Sequence, residues 1–253
     1  MEFCRLIASE YGNEKVPIYY KAVVDREVRG EEDFPELVEE ILSDERGWKN
    51  AYKNLDFVRL KPSQKILKEM LRCPMEFEGG DDLYGGEGGY FFRRVNNKPA
   101  WAPRLLEIAL CTPGRVAKEC GMVGMSCYSP IENKIFINTD NWNCISKACE
   151  NASGGSKTPT QKEDYRKYVI YHEVGHALGF EHVRCERVME EFGGEAPLVP
   201  IMEQQTLGIK KCRPNKFPIK AMEELGIPRI RGTRVGGSSS SATRKDNTDF
   251  TSE

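Results

Sequence analysis

The segment YHEVGHALGFEHVRC, residues 171–185, holds all three histidines of this 253-residue chain: His172, His176 and His182. Imidazole is the commonest metal ligand among side chains when neutral, and a general acid or base when free. On an α-helix, positions i and i+4 lie about 40° apart around the axis and ~6 Å apart along it. The rings of His172 and His176 can therefore reach one ion at ~2.0–2.1 Å. Glu173 is rotated by about 100°, poorly placed as a ligand but able to lean over the open side of the metal and take a proton from water. For His182 to join them the chain must reverse, and Gly179 is the residue that ends a helix in the left-handed conformation without steric cost. Three neutral imidazoles leave the fourth position of tetrahedral Zn2+ to water, whose pKa the metal lowers to roughly 7.

Two plainer readings compete with this one. In the first, the histidines are ordinary core or surface residues of a helix, which leaves their confinement to eleven positions unexplained. In the second, the metal only stabilises the fold. Structural zinc is usually closed by four protein ligands, whereas this segment offers three and an acid beside them.

The helix carrying the pair begins near Gln161, where Thr160 and Glu163 have capping-box spacing. Tyr165, Tyr168, Val169, His172 and His176 then share its inward face. Upstream, residues 15–25 (KVPIYYKAVVD) and 55–60 (LDFVRL) read as strands. They flank a helix in EEDFPELVEEILSDERGW, with Phe34, Leu37, Val38, Ile41 and Leu42 on one face. Residues 103–113 (PRLLEIALCTP) read as a buried strand between prolines. Residues 133–140 (NKIFINTD) form another, paired back to residues 125–128 across the turn at Pro130. PSQKILKEMLRC reads as a short helix. Residues 79–89 form a glycine-rich loop in which Asp81, Asp82 and Glu87 have the chemistry for calcium but read better as a solvated surface. Residues 150–160 also read as a loop, with a bare glycosylation sequon at Asn151. From Pro228 onward, GGSSSSATRKDNTDFTSE reads as a disordered tail.

A net charge of −2, with acids and bases interleaved, argues against a nucleic-acid partner. No apolar run is long enough for a membrane span, and the start lacks the apolar core of a secretory signal. Nine cysteines without a CxxC pair fit disulfides and an oxidising or extracellular compartment, with a fully reduced chain as the alternative. The count is odd, and Cys4, isolated near the terminus, is the expected leftover thiol.

HEVGHALGFEH resembles the signature of the metzincin zinc metallopeptidases, HExxHxxGxxH followed by a methionine-containing turn. APLVPIMEQQT supplies Met202 for that turn in preference to Met189, which sits in an acidic stretch. Over residues 16–218, with DERGW and INTDNW upstream, the chain is similar to an actinobacterial metzincin-type domain of unknown function. The resemblance implies an α+β fold: a twisted mixed sheet with a helix on it, a long active-site helix and an irregular C-terminal subdomain. The corresponding divisions are an extension at 1–14, a catalytic domain at 15–227 split near 179/180, and the tail at 228–253. It implies a Cys185–Cys212 bridge, worth roughly 3 kcal/mol in the chain-entropy model, and Met202 as an apolar floor beneath the metal. It also implies a peptide or protein substrate, extended along the strand at 133–140 by β-augmentation. Val183 after the third histidine, and Gln204 and Gln205 where some relatives carry a tyrosine, depart from the better-known subfamilies. Cys73, in LRCPMEF, could cap the metal in a latent form, although a disulfide is the commoner fate of such a residue. The expected function is zinc-dependent peptide hydrolysis with Glu173 as general base and acid. The alternative is an inactive, metal-stabilised binding or structural protein.

Overall fold

Alternation of apolar residues along the strands sends them to two different layers. In the computed structural model, which describes residues 16–51, 55–61, 84–85, 91–95, 98–102, 105–156, 158–186 and 197–218, the chain runs β1 (Val16–Val24), α1 (Phe34–Ser43), α2 (Trp48–Ala51) and β2 (Leu55–Arg59). A three-stranded antiparallel sheet follows: β3 (Tyr84–Gly85), β4 (Phe91–Val95) and β5 (Lys98–Ala102). Then come β6 (Leu106–Cys111), α3 (Pro113–Cys120), β7 (Cys127–Ser129), β8 (Lys134–Asn138), α4 (Thr139–Trp142), α5 (Ala148–Ala152) and the long helix α6 (Gln161–Ala177).

The main sheet has the order β2-β1-β6-β8-β7 and is parallel except for β7. Ile18 and Tyr20, Leu106, Ile108 and Leu110, and Ile135 and Ile137 face one side. There they pack with Phe34, Val38, Ile41 and Leu42 of α1 and with Tyr165, Tyr168, Val169, Tyr171 and Val174 of α6. The opposite parity, Ala109, Cys111 and Phe136, packs with Val116 of α3. Period-two side-chain alternation thus makes one sheet serve two apolar layers. The result is a mixed, mostly parallel sheet with helices, as expected of an α+β fold.

Several sequence expectations need correction. The strand at 133–140 shortens to β8 and pairs with β7 as expected, but β6 occupies its other side. Its backbone is committed to both neighbours, so on this side the main sheet ends, among the described residues, at β7. Thr160 precedes α6 without a side-chain cap: its ψ of 7° is not extended, and its hydroxyl meets the Asp164 carboxylate instead. Glu163 and Asp164 still place negative charge in the first turn, where the helix dipole favours it. The strand at 103–113 ends at Cys111, and Thr112, whose hydroxyl accepts Arg115 N–H, caps the unforeseen helix α3. Helix α5 lies partly in the expected loop at 150–160, and Asn151 spends its side-chain amide on the Thr206 carbonyl (2.8 Å). Part of the loop at 79–89 is strand β3. The remainder of that loop, the helix expected over 62–73, Cys4, Cys73 and the tail lie outside the described residues.

Three disulfides, Cys120–Cys127, Cys144–Cys149 and Cys185–Cys212, are present, and Cys111 is a free, buried thiol. These bridges are compatible with an oxidising compartment. Among the described residues no helix is long and apolar enough to cross a membrane.

The DERGW segment locks α1 to α6. Trp48 Nε1 donates to the Tyr171 carbonyl (3.0 Å), and Tyr171 Oη donates to the Ile41 carbonyl (2.5 Å). A Cβ on Gly47 would sit 2.6 Å from the ring of Tyr171, which is fully buried and held by that hydrogen bond. Gly47→Ala is therefore expected to cost about 1–3 kcal/mol by overpacking. It should appear as a lower urea midpoint with an unchanged m-value.

Candidate metal centre

Helix α6 carries two of the three histidines, and its end directs the third. Gly179 has φ of +89°, the left-handed region that favours glycine. Phe180 N–H donates to the Gly175 carbonyl and Gly179 N–H to the His176 carbonyl, both at 2.9 Å. That pair of bonds is the Schellman arrangement, which satisfies carbonyls the helix end would otherwise leave open. The turn also aims the Phe180 carbonyl back at His176 Nδ1, 2.8 Å away.

His172 Nδ1 has an equivalent partner, the Ile201 carbonyl at 2.9 Å. A carbonyl only accepts, so both Nδ1 atoms must carry their protons, and both Nε2 atoms present bare lone pairs. Metal-ligating histidines are held by this kind of second bond. Burial, reinforced by the neighbouring His176, holds His172 well below the usual imidazole range. Burial and His182 bring His176 down to about 4, and burial lowers His182 as well. All three rings are therefore neutral near pH 7.

Potential ligand atoms of His172, His176 and His182 all lie within 4.8 Å of one another. The His176 and His182 Nε2 atoms approach to 3.1 Å. Two donors at that separation, each at the roughly 2.0–2.1 Å of a zinc–imidazole bond, would subtend about 98° at a shared ion, near the tetrahedral angle. The donor set thus fits a divalent metal.

Glu173, next along the helix, is 4% exposed, and its Oε2 has no hydrogen-bond partner. Burial alone pushes its carboxyl up to about 8. A buried, unpartnered carboxyl oxygen is expensive unless it serves a purpose.

The segment after residue 197 closes over α6. Tyr168 Oη donates to the Glu203 carbonyl (3.1 Å) and accepts Gln205 N–H (2.8 Å), while Tyr165 Oη pairs with Thr206 Oγ1 (2.9 Å). These contacts hold Met202, fully buried, against the helix. Gly175 makes that possible: a Cβ there would meet Met202 Sδ at 2.4 Å and Trp48 Cζ2 at 2.9 Å. Gln204 leads into a 3-10 turn at Gln205–Leu207 and receives Leu207 N–H on its carbonyl (2.9 Å). The expected Cys185–Cys212 bridge forms, burying both sulfurs with Val199 and Ile209. Glu203, largely buried, was not foreseen. Its Oε2 accepts Cys185 N–H, a contact across eighteen residues that no local spacing announces.

The sheet and the histidine group define an α+β protein with a candidate three-imidazole metal centre. A family model described as a protein of unknown function, DUF3152, matches residues 81–224, more than half of the chain. The chain belongs to that family. No curated protein and no solved structure matches it.

Two outcomes check this geometry. The purified chain should bind one equivalent of Zn2+ in competition with a chromophoric chelator, and alanine at any one of the three histidines should weaken binding at least about tenfold. Gly175→Ala should lower the urea midpoint by about 1–3 kcal/mol equivalent, because neither Met202 nor Trp48 can retreat from a packed interior.

Proposed function

We propose that the chain is a zinc-dependent peptide hydrolase of metzincin type. The observation that carries the reading is the juxtaposition of three neutral imidazoles, two with Nδ1 fixed on carbonyls, and a buried carboxyl with an unpartnered oxygen. Zinc suits neutral nitrogen donors. When bound, it supplies Lewis-acid polarisation of a carbonyl and makes water a competent nucleophile.

The protein's own part falls to Glu173. Its Oε2, shielded from bulk solvent, takes a proton from the attacking water and passes it to the nitrogen of the departing amine. A carboxyl whose proton affinity burial has raised toward neutrality performs both transfers more readily than an exposed one. Met202 and Trp48 exclude water from the helix face behind the histidines. An extended peptide would align on the outer edge of β7, which among the described residues pairs only with β8. In this reading residues 15–227 form the catalytic domain, divided near 179/180, where α6 gives way to irregular chain.

Glu173→Gln keeps the size of the side chain and removes its basicity. It should retain zinc and lose about 10²–10⁴-fold in peptide-library cleavage, the usual range for a general base. Unchanged cleavage with zinc bound would sink the mechanism. Loss of fold on chelation, in a parent chain that cleaves nothing, would favour a purely structural metal.

A further inference from the structure

We propose that Glu203 is a positioning residue for the third metal ligand, His182. The inference rests on the metal-site reading above and deepens it. His172 and His176 are held twice, by the backbone of α6 and by carbonyls at Nδ1. His182 belongs to no helix or strand and is solvent-exposed. Its place depends on the segment just after it.

That segment is pinned to the methionine turn at alternate residues. Val183 N–H donates to the Met202 carbonyl (3.1 Å), and Cys185 N–H donates to the Glu203 carboxylate. The first contact is backbone to backbone. The second, which a strand pairing would complete with another carbonyl, is completed here by a side chain. Glu203 is 8% exposed and sits directly after Met202. A side-chain oxygen that accepts from a buried amide satisfies a donor that would be costly to leave unpaired. The nearby Cys185–Cys212 bridge fixes the far end of the segment, and these two bonds, with Val183 buried in the main core, set the course of the chain next to His182. Glu203 thus acts on the metal only through His182.

This dependence gives a test that a general stabilising role would not pass. Zn2+ affinity and the visible absorption of the Co2+-loaded full-length chain are measured for the parent, E203A, E203Q, H182A and the H182A/E203A double variant. Outer-shell partners of metal ligands typically contribute 10–100-fold to affinity. E203A is expected to lose about tenfold or more, with its Co2+ spectrum moved toward that of H182A. E203Q, which keeps an acceptor oxygen, should stay within about threefold of the parent. In the H182A background E203A should change affinity by less than about twofold, since the ligand it positions is gone. A parent-like E203A, or an equal loss with and without His182, overturns the inference. If E203A does not fold, E203D carries the same comparison, because it withdraws the carboxylate by one methylene. A parent chain that binds neither ion defeats the metal reading itself, whereas metal binding by the parent with an unaffected E203A defeats this inference alone.

Discussion

The Nε2 atoms of His176 and His182 stand 3.1 Å apart, and the rest of the site follows from that contact. The Nδ1 proton of His176 is engaged by the Phe180 carbonyl, so its Nε2 offers a lone pair, and burial opposes charging either ring. A lone pair so placed serves either a proton on His182 Nε2 or a cation that both rings coordinate. The unpartnered oxygen of Glu173, buried one residue from His172, is an arrangement that folding alone would avoid. Departures from local rules tend to collect where a protein does chemistry. Here the buried, unpartnered carboxyl oxygen falls between two imidazoles on the same five residues of one helix.

Such a site must be held by neighbours that cannot relax. Helix α6 is enclosed on several sides by groups of unusual bulk. Trp48 stacks on Phe180, with ring centroids 5.1 Å apart, and bonds to the Tyr171 carbonyl. Tyr165 and Tyr168 bridge to the methionine turn through their hydroxyls. Burial raises both of these phenols above their ordinary range, so they remain donors at any physiological pH. Gly175 is the concession that lets Met202 and Trp48 approach the same turn of helix. Large rigid rings with satisfied polar ends specify one packing arrangement, where aliphatic side chains of equal volume would allow several.

What the sequence made legible was what short-range geometry decides. The i, i+4 histidine pair and the turn at Gly179 need only helix arithmetic and the freedom of glycine, and both stand where expected. The same holds for β1, β2 and α1, whose apolar periodicity is strong. Helix α3 was hidden although Thr112, Pro113 and Gly121 are good boundary residues, because Pro113 also reads as the end of the preceding strand and only Val116 of its interior is buried. Helix α5 is five residues long and owes its shape to the Cys144–Cys149 bridge and to packing on the 3-10 turn, neither of which is local. Which strand forms the sheet edge is a question of topology, and residue patterns are silent on it. Glu203 was missed for the same reason. An acid after a methionine has many ordinary explanations, and its partner lies eighteen residues earlier.

On the proposed reading, the irregular C-terminal segment follows from bringing three imidazoles to one ion. A single helix offers two donors at i and i+4, ~6 Å apart along its axis. The next position on that face, i+8, is about 12 Å from the first, beyond the span of one coordination sphere. The third ligand must therefore come from chain that has left the helix, and chain that leaves a helix forfeits the regular hydrogen bonds that would place it. In this protein those bonds are replaced one by one. The Gly175 and His176 carbonyls receive the reversing turn, the Met202 carbonyl receives Val183, the Glu203 carboxylate receives Cys185, and the Cys185–Cys212 bridge closes the loop. Among the described residues between Gly179 and Pro218, helical backbone is confined to residues 185–186 and the 3-10 turn at Gln205–Leu207, as the proposed tridentate site on a one-helix platform requires.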